Sequence, residues 1–267
     1  MKIKDILLGL ALLLVSLQTT NAQLGFSQEI GVAVGPVAFF SDFGQRYDIQ
    51  TNTHNSGLGI GLLHYINFAY RADCNCYTRD KYFNDHFKLR TEADYHATNL
   101  DFFGDDAESN TFQGAKLRAQ HGKAKVFEIG SSLEYWPLSI RSFQANGYKL
   151  APFISAGVHY VYYTPEVYSD LGPLGSPSTT FNSFLPDPTV GREASIVPED
   201  SSTYAIVGGL GARYKLGPLS DLIFEGRWHY YGSDWVEGFS PQQPGNPDNR
   251  ANDWIFWIRF GYIYYLE

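Results

Sequence analysis

Methionine occurs once in the 267 residues and cysteine only twice. Two cysteines cannot build a disulfide framework. Lys and Arg are outnumbered 20 to 28 by Asp and Glu, for a formal charge of −8. A phosphate backbone therefore finds no electrostatic support, and no nucleic-acid partner is expected. After the first 22 residues no stretch approaches 18 continuous apolar residues, which excludes a helical membrane span. Heptad and collagen periods are missing, and an apolar content of 44% excludes wholesale disorder. A helical enzyme of this size would carry more Leu, Ala, Glu, Lys and Met.

Aromatic residues and glycine are in excess. The chain has 19 Tyr, 19 Phe, 5 Trp and 26 Gly, with 13 Pro as punctuation. Such a composition favours strands and a membrane interface. At the N-terminus, Lys2 and Lys4 precede an apolar stretch from Ile6 to Leu17, and Thr20-Asn21-Ala22 places a small residue before Gln23. This three-part order is that of a secretory signal peptide. Its apolar core is too short to span about 30 Å of hydrocarbon. The expected organisation is a signal peptide over 1–22 and one exported domain over 23–267.

Within that domain, period-two alternation marks eight segments, near 28–40, 57–70, 86–101, 121–136, 149–164, 203–215, 221–233 and 253–266. Each is longer than the usual globular strand of about 5–6 residues and suits a tilted membrane crossing. In the third, Phe87, Leu89, Ala93, Tyr95 and Ala97 oppose Lys88, Arg90, Glu92, Asp94, His96 and Thr98. In the seventh, Leu222, Phe224, Trp228 and Tyr230 oppose Asp221, Glu225, Arg227 and His229. The eighth carries an unbroken apolar face from Trp254 to Leu266.

A soluble sandwich also alternates, but a face charged with both signs is too polar for a packed sandwich core. The pattern predicts an all-β fold: an eight-stranded antiparallel up-and-down transmembrane β-barrel with a filled polar interior. Lys88, Arg90, Arg213, Arg227 and Arg259 are expected to pair inside it with Glu92, Asp94, Glu128, Glu134 and Glu225.

The last strand ends Arg259-Phe260-Gly261-Tyr262-Ile263-Tyr264-Tyr265-Leu266. Gly261, Tyr264 and Leu266 fall where the insertion signal of outer-membrane barrels has them. Outer-membrane lipid and the barrel-insertion machinery are thus the expected surroundings. Connections 41–56, 102–120, 165–202 and 234–252 would face outside, and 71–85, 137–148 and 216–220 the periplasm. The 71–85 connection is long for a periplasmic turn and is a candidate dock for a periplasmic or outer-membrane protein. It carries Cys74 and Cys76, a candidate disulfide whose closure across one residue would be strained.

No cofactor and no metal centre is expected. The seven His follow no ligand spacing, the loop acids at 101–108 and 248–253 follow no EF-hand order, and the glycine clusters lack a nucleotide fingerprint. Ser155 and His159 are the best pair for a lipid-modifying enzyme, but residues four apart on a strand stand about 13 Å from each other. The enzyme reading is accordingly disfavoured.

Four runs resemble a family of small exported barrels of Gram-negative bacteria that have type IX secretion. They are Gln23–Gly31, Phe68–Tyr77 with its Cys-Asn-Cys, Leu133–Ser139 and Gly261–Leu266. A more distant likeness, of architecture, is to the small barrel that supports the type IX secretion ring. Members of the nearer family sometimes bear a glutamate dehydrogenase label, which no nucleotide motif here supports. The resemblance implies a non-enzymatic outer-membrane barrel, a scaffold or accessory subunit of an envelope secretion or assembly machine. A surface-binding or adhesion barrel acting through its outer loops is the alternative, and a lipid-modifying enzyme the second alternative.

Overall fold

The computed structural model describes residues 27–43, 49–69, 81–241 and 252–266. The signal peptide expected over 1–22, Cys74, Cys76, Asp248 and Asn249 lie outside the described residues. Eight antiparallel strands close in sequence order into one barrel: β1 (Ser27–Phe40), β2 (Ser56–Asn67), β3 (Phe87–Asp101), β4 (Gln120–Tyr135), β5 (Leu150–Ser169), β6 (Ser201–Gly217), β7 (Ser220–Tyr231) and β8 (Trp254–Leu266). Closure comes from β1 pairing with β8, from Gln28 opposite Leu266 to Phe40 opposite Trp254. Each expected segment contains one strand, although β2 ends at Asn67 and β7 at Tyr231, short of the expected 70 and 233.

Two prolines show how the ladder tolerates a missing donor. Pairing of β1 with β8 skips Gly35 and Pro36, and the freed Gly35 carbonyl accepts the Trp257 indole N–H at 3.1 Å. In β5, pairing with β6 stops at Tyr163, while pairing with β4 continues to Ser169. Pro165 therefore sits where one strand edge is already free. The strand runs past its expected end at 164 because this proline breaks nothing.

The outward face is apolar all round. The aliphatic side chains of Ile30, Ile60, Ile129, Val158, Ile206 and Leu210 stand exposed around the sheet. Exposed rings stand along the strands, Tyr95, Phe127 and Phe260 at their middles, and further ring pairs mark both ends. Phe40 stacks on Trp254 with centroids 3.8 Å apart at one end, and Phe87 meets Tyr135 at 5.2 Å at the other. An exposed apolar face on every strand of a closed sheet fits hydrocarbon, because closure removes the two open edges of the sheet. Even-numbered barrels with an apolar band, aromatic girdles and one end of longer loops are those of bacterial outer membranes.

Both described ends of the chain lie at one rim with the connections 68–86, 136–149 and 218–219. The opposite rim carries the longer connections, and the architecture assigns that rim to the cell exterior. Several connections contain short helices absent from the period-two reading: α1 (Ile49–His54), α2 (Lys81–His86), α3 (Asp105–Glu108), α4 (Phe112–Arg118) and α5 (Ile140–Gln144). Local caps explain two of them. Thr111 Oγ1 accepts from Gly114 N–H, and Ser139 Oγ accepts from Ser142 N–H.

The lipid-facing assignment has a direct consequence. Val158→Arg, halfway along β5, should weaken folding into lipid vesicles by about 2–4 kcal/mol. Val190→Arg, equally exposed but in the 170–200 connection, should change it by less than about 0.5 kcal/mol. Urea titration of vesicle-folded protein measures both. Equal effects would contradict a membrane-facing β5.

Candidate functional site

The lumen holds two apolar clusters and a network of charged side chains. Toward the outer rim, inward residues Val126, Val161, Val207, Ile255 and Trp257 form an apolar layer, roofed by Phe43, Phe184 and Phe239 from the outer connections. Toward the inner rim, Ala33, Phe153, Ile223 and Ile263 form a second, floored by Ile140 and Phe143 of α5 and by Trp136. Charged residues fill the rest and interleave with this inner cluster: Glu29 and Asp221 stand nearer the inner strand ends than Ala33 and Ile223, and Lys88 and Lys215 reach the Trp136 and Phe143 rings of the floor. The interior is therefore not polar throughout, as the alternation alone would have it.

All ten residues expected inside are buried and inward: Lys88, Arg90, Glu92, Asp94, Glu128, Glu134, Arg213, Glu225, Arg227 and Arg259. Glu225 is a hub. Arg90 donates to both its oxygens, from Nη1 at 2.9 Å and Nη2 at 3.0 Å, and Arg259 Nη2 reaches Oε2 at 2.6 Å. Arg90 Nη1 also meets Glu134 Oε1 at 2.8 Å. Glu92 receives Arg227, and Arg259 at 3.1 Å. These pairs tie β3, β4, β7 and β8 together across the lumen. Asp94 is held more loosely, with Arg259 Nη1 3.8 Å from Oδ1.

Glu29, Lys215 and Asp221 belong to the same layer, although sequence reasoning left them out of the network. Lys88 Nζ and Arg213 Nη1 lie 2.6 and 2.5 Å from the two Glu29 oxygens, and Lys215 Nζ lies 3.4 Å from Asp221 Oδ1. The signal was present: Glu29 alternates with the outward Ile30, Val32 and Val34. The cations also rest on the inner aromatic layer, Arg213 4.1 Å from the Tyr65 ring centroid and Lys88 4.5 Å from that of Trp136.

A different grouping lies just below the outer apolar layer. Glu128 on β4 is surrounded by three histidines from three other strands. His159 Nδ1 and His229 Nδ1 each lie 2.8 Å from Glu128 Oε2, and His96 Nε2 lies 3.0 Å from Oε1. Tyr231 donates its hydroxyl to Oε1 at 3.0 Å. Gly130 makes room for this, because a Cβ there would collide with the His159 ring. Sequence spacing could not find the group, since its members are 31 to 101 positions from Glu128. Only their shared inward parity and strand register bring them to one height. Two sets of side chains have ligand atoms all within 4.8 Å of one another: Glu128 with His159 and His229, and Glu92 with Asp94 and His159.

The pair considered for hydrolysis does not meet. Ser155 Oγ donates to Glu225 Oε1 at 3.0 Å, while His159 faces Glu128 and Glu92. Both are sealed inside the barrel. Gly261, Tyr264 and Leu266 of the insertion signal sit on β8 between β1 and β7.

The outer connections hold a second acidic group. Glu237 and Asp253 are fully buried. Asp42 N–H donates to Glu237 Oε1 at 3.0 Å and Val236 N–H to Asp253 Oδ2 at 3.1 Å. Burial, reinforced for Glu237 by Asp253 itself, pushes both carboxyls up, Asp253 to about 8. Their folded-state values exceed the unfolded ones, so the protonated pair stabilises the outer cap. That stability is complete below about pH 4 and is lost as pH rises through about 8.

Two outcomes follow from these geometries. Glu225→Gln leaves Arg90 and Arg259 short of a carboxylate in a sealed lumen, and should cost about 3–5 kcal/mol in detergent-phase unfolding. Hydrogen-exchange protection of the Asp42 and Val236 amides should fall between about pH 6 and 9, and Asp253→Asn should flatten that dependence. Protection constant with pH in the unaltered chain would contradict the carboxyl pairing.

No protein-family model matches the chain, and no curated protein does. Solved structures similar to it include Ail, the attachment invasion locus protein of Yersinia pestis, in complex with the heparin analogue sucrose octasulfate. That match has 9% identity and a TM-score of 0.44, and covers 91% of this chain and 100% of Ail. Neisserial surface protein A matches at 14% identity and TM-score 0.42, over 89% of this chain and 96% of its own. A major outer membrane protein from Thermus thermophilus matches at 14% and 0.44, over 90% and 99%. At these identities the likeness concerns the barrel fold alone.

Proposed function

We propose that this barrel is a non-enzymatic scaffold or accessory subunit of an envelope secretion or assembly machine, acting through its periplasmic rim. The observation that carries the reading is a lumen filled by ion pairs between an apolar outer layer and a floor made by Trp136, Ile140 and Phe143. A barrel so filled offers a solute no wet path, so its surfaces are left to do the work. The resemblance of the Phe68–Tyr77 run to small barrels of bacteria with type IX secretion supports the choice of machine.

The periplasmic rim has the features of a docking face. Tyr82 and Phe83 of α2 are exposed, and so is Leu138 in the next connection. Phe83 packs on Phe87 at 4.7 Å, and the Tyr82 hydroxyl meets that of Tyr135 at 2.9 Å. These anchors hold the helix against the barrel while leaving ring faces uncovered. Clustered exposed aromatics rimmed by polar groups are typical of protein contact sites.

A second reading rests on the outer loops. Val167, Leu174, Phe184, Pro186, Ile196 and Pro198 line a mostly apolar depression of about 260 Å³ there. A surface ligand seated in it would make the chain a binding or adhesion barrel.

Crosslinking in membranes separates the two. A photo-crosslinker at Tyr82 should capture a protein partner, and Tyr82→Glu with Phe83→Glu should reduce co-purification about tenfold or more while leaving heat-modifiable migration on a gel intact. Recovery of the unaltered barrel alone from mild detergent would overturn the scaffold reading. Retained capture after removal of residues 174–196 would speak against the adhesion reading for that partner.

A further inference from the structure

The charged layer does not balance. Buried strand positions hold seven acidic side chains, Glu29, Glu92, Asp94, Glu128, Glu134, Asp221 and Glu225, but six basic Lys and Arg side chains, Lys88, Arg90, Arg213, Lys215, Arg227 and Arg259. Six of the acids lie within 4 Å of a Lys or Arg nitrogen. Glu128 is the seventh, and among the described residues its ion-pair partners are histidines only. An isolated carboxylate in a dry lumen is costly, so the positive charge it needs must come from the histidine cluster or from an ion held by it.

The donors are arranged for an ion. Two ring nitrogens, His159 Nδ1 and His229 Nδ1, converge on the same oxygen of Glu128 at 2.8 Å each. The other nitrogen of His159 faces a second carboxylate, Glu92 Oε1, at 3.2 Å. A ligating histidine typically donates its far N–H to a carboxylate in this way, which fixes the ring for the metal. The second oxygen of Glu128 is held by Tyr231 and His96, so the carboxylate is oriented too. Beside the cluster, Asp94 is fully buried and neither of its oxygens has a hydrogen-bond partner. It lies across the strand pair from Glu128 and has an oxygen within 4.8 Å of a His159 nitrogen. The overlapping set of Glu92, Asp94 and His159 is the poorer site, because Arg90, Arg227 and Arg259 already surround Glu92 and repel a cation.

We propose that Glu128, His159 and His229 bind one divalent transition-metal ion inside the barrel, with His96 and Glu92 as positioning residues. Two imidazoles and one carboxylate are the donor set of borderline ions, and four-coordinate Zn²⁺ fits it with one further ligand. Ligand atoms around such an ion stand roughly 3.3 Å apart, so the present contacts need to open by about half an ångström. Binding replaces the hydrogen bonds between the two Nδ1 atoms and Glu128; each neutral imidazole then carries its proton on Nε2, and an imidazolium first gives its extra proton to solvent. The apolar outer layer above and the floor of Trp136, Ile140 and Phe143 below close the lumen, so the ion enters as the barrel folds and is then trapped. Its role is structural: it tethers β4, β5 and β7 at the top of the charged layer.

The test uses full-length mature protein without a histidine tag, in a Cys74→Ser, Cys76→Ser background so that those thiols do not bind metal. Refolded into detergent with Zn²⁺ and then gel-filtered through chelator, the barrel should retain about one zinc per chain by elemental analysis. Refolding with Co²⁺ should produce visible d–d absorption of nitrogen and oxygen ligation. His159→Gln with His229→Gln should lose the metal, and His96→Gln should weaken retention about 10–100-fold without removing it. Heat-modifiable migration verifies that each variant has folded. If the double variant does not fold, the cobalt spectrum of the parent barrel decides alone. Fewer than about 0.2 metal ions per parent chain, no cobalt band, or undiminished zinc in a folded double variant would overturn the proposal. None of these readouts depends on a protein partner, so the scaffold reading stands or falls separately.

Discussion

In hydrocarbon, a backbone N–H or C=O without a partner has no water to turn to. The pairing of β1 with β8 removes the last two edges of the sheet, and the rest of the molecule is organised around that closure. Once the sheet is a cylinder, each strand has one face toward lipid and one toward a narrow lumen. Every second residue must then be apolar, and its neighbours must fit inside. The interruptions obey the same accounting. Where Pro36 cannot donate, the Trp257 indole satisfies the orphaned Gly35 carbonyl.

An eight-stranded cylinder is too narrow for bulk water, so the charged layer has to neutralise itself. The hub at Glu225 and the pairs around Glu92 and Glu29 do this with charge-assisted hydrogen bonds, whose strength compensates desolvation only where geometry is good. Cation–π contacts to Tyr65 and Trp136 add to it at the inner boundary. The outer boundary is different. There the compensation falls to histidines, side chains that either carry a proton or hold a metal, and the choice gives that level of the barrel its chemical character.

Much of this was legible in the sequence, for a reason that particular residues show. Lys88, Arg90, Glu92 and Asp94 alternate strictly with Leu89, Thr91 and Ala93, and a period of two assigns each to a face without knowledge of the partner strand. The same parity identifies Glu29 and Lys215, each of which stands at the end of its alternating segment. The short helices α4 and α5 were not legible: they depend on local caps and on packing at the barrel mouths, not on periodicity. Nor was the layering of the lumen, since Val126 and Glu128 read alike as inward positions.

The sequence by itself determined the strand count, the orientation of each strand's faces and the two-sign character of the interior, because those follow from local alternation and the geometry of an extended chain. Which carboxylate meets which cation was decided only by tertiary structure. Register and shear set the height of each inward side chain, and they gather His96, His159 and His229 around Glu128 although the four stand on four different strands that the linear order keeps apart.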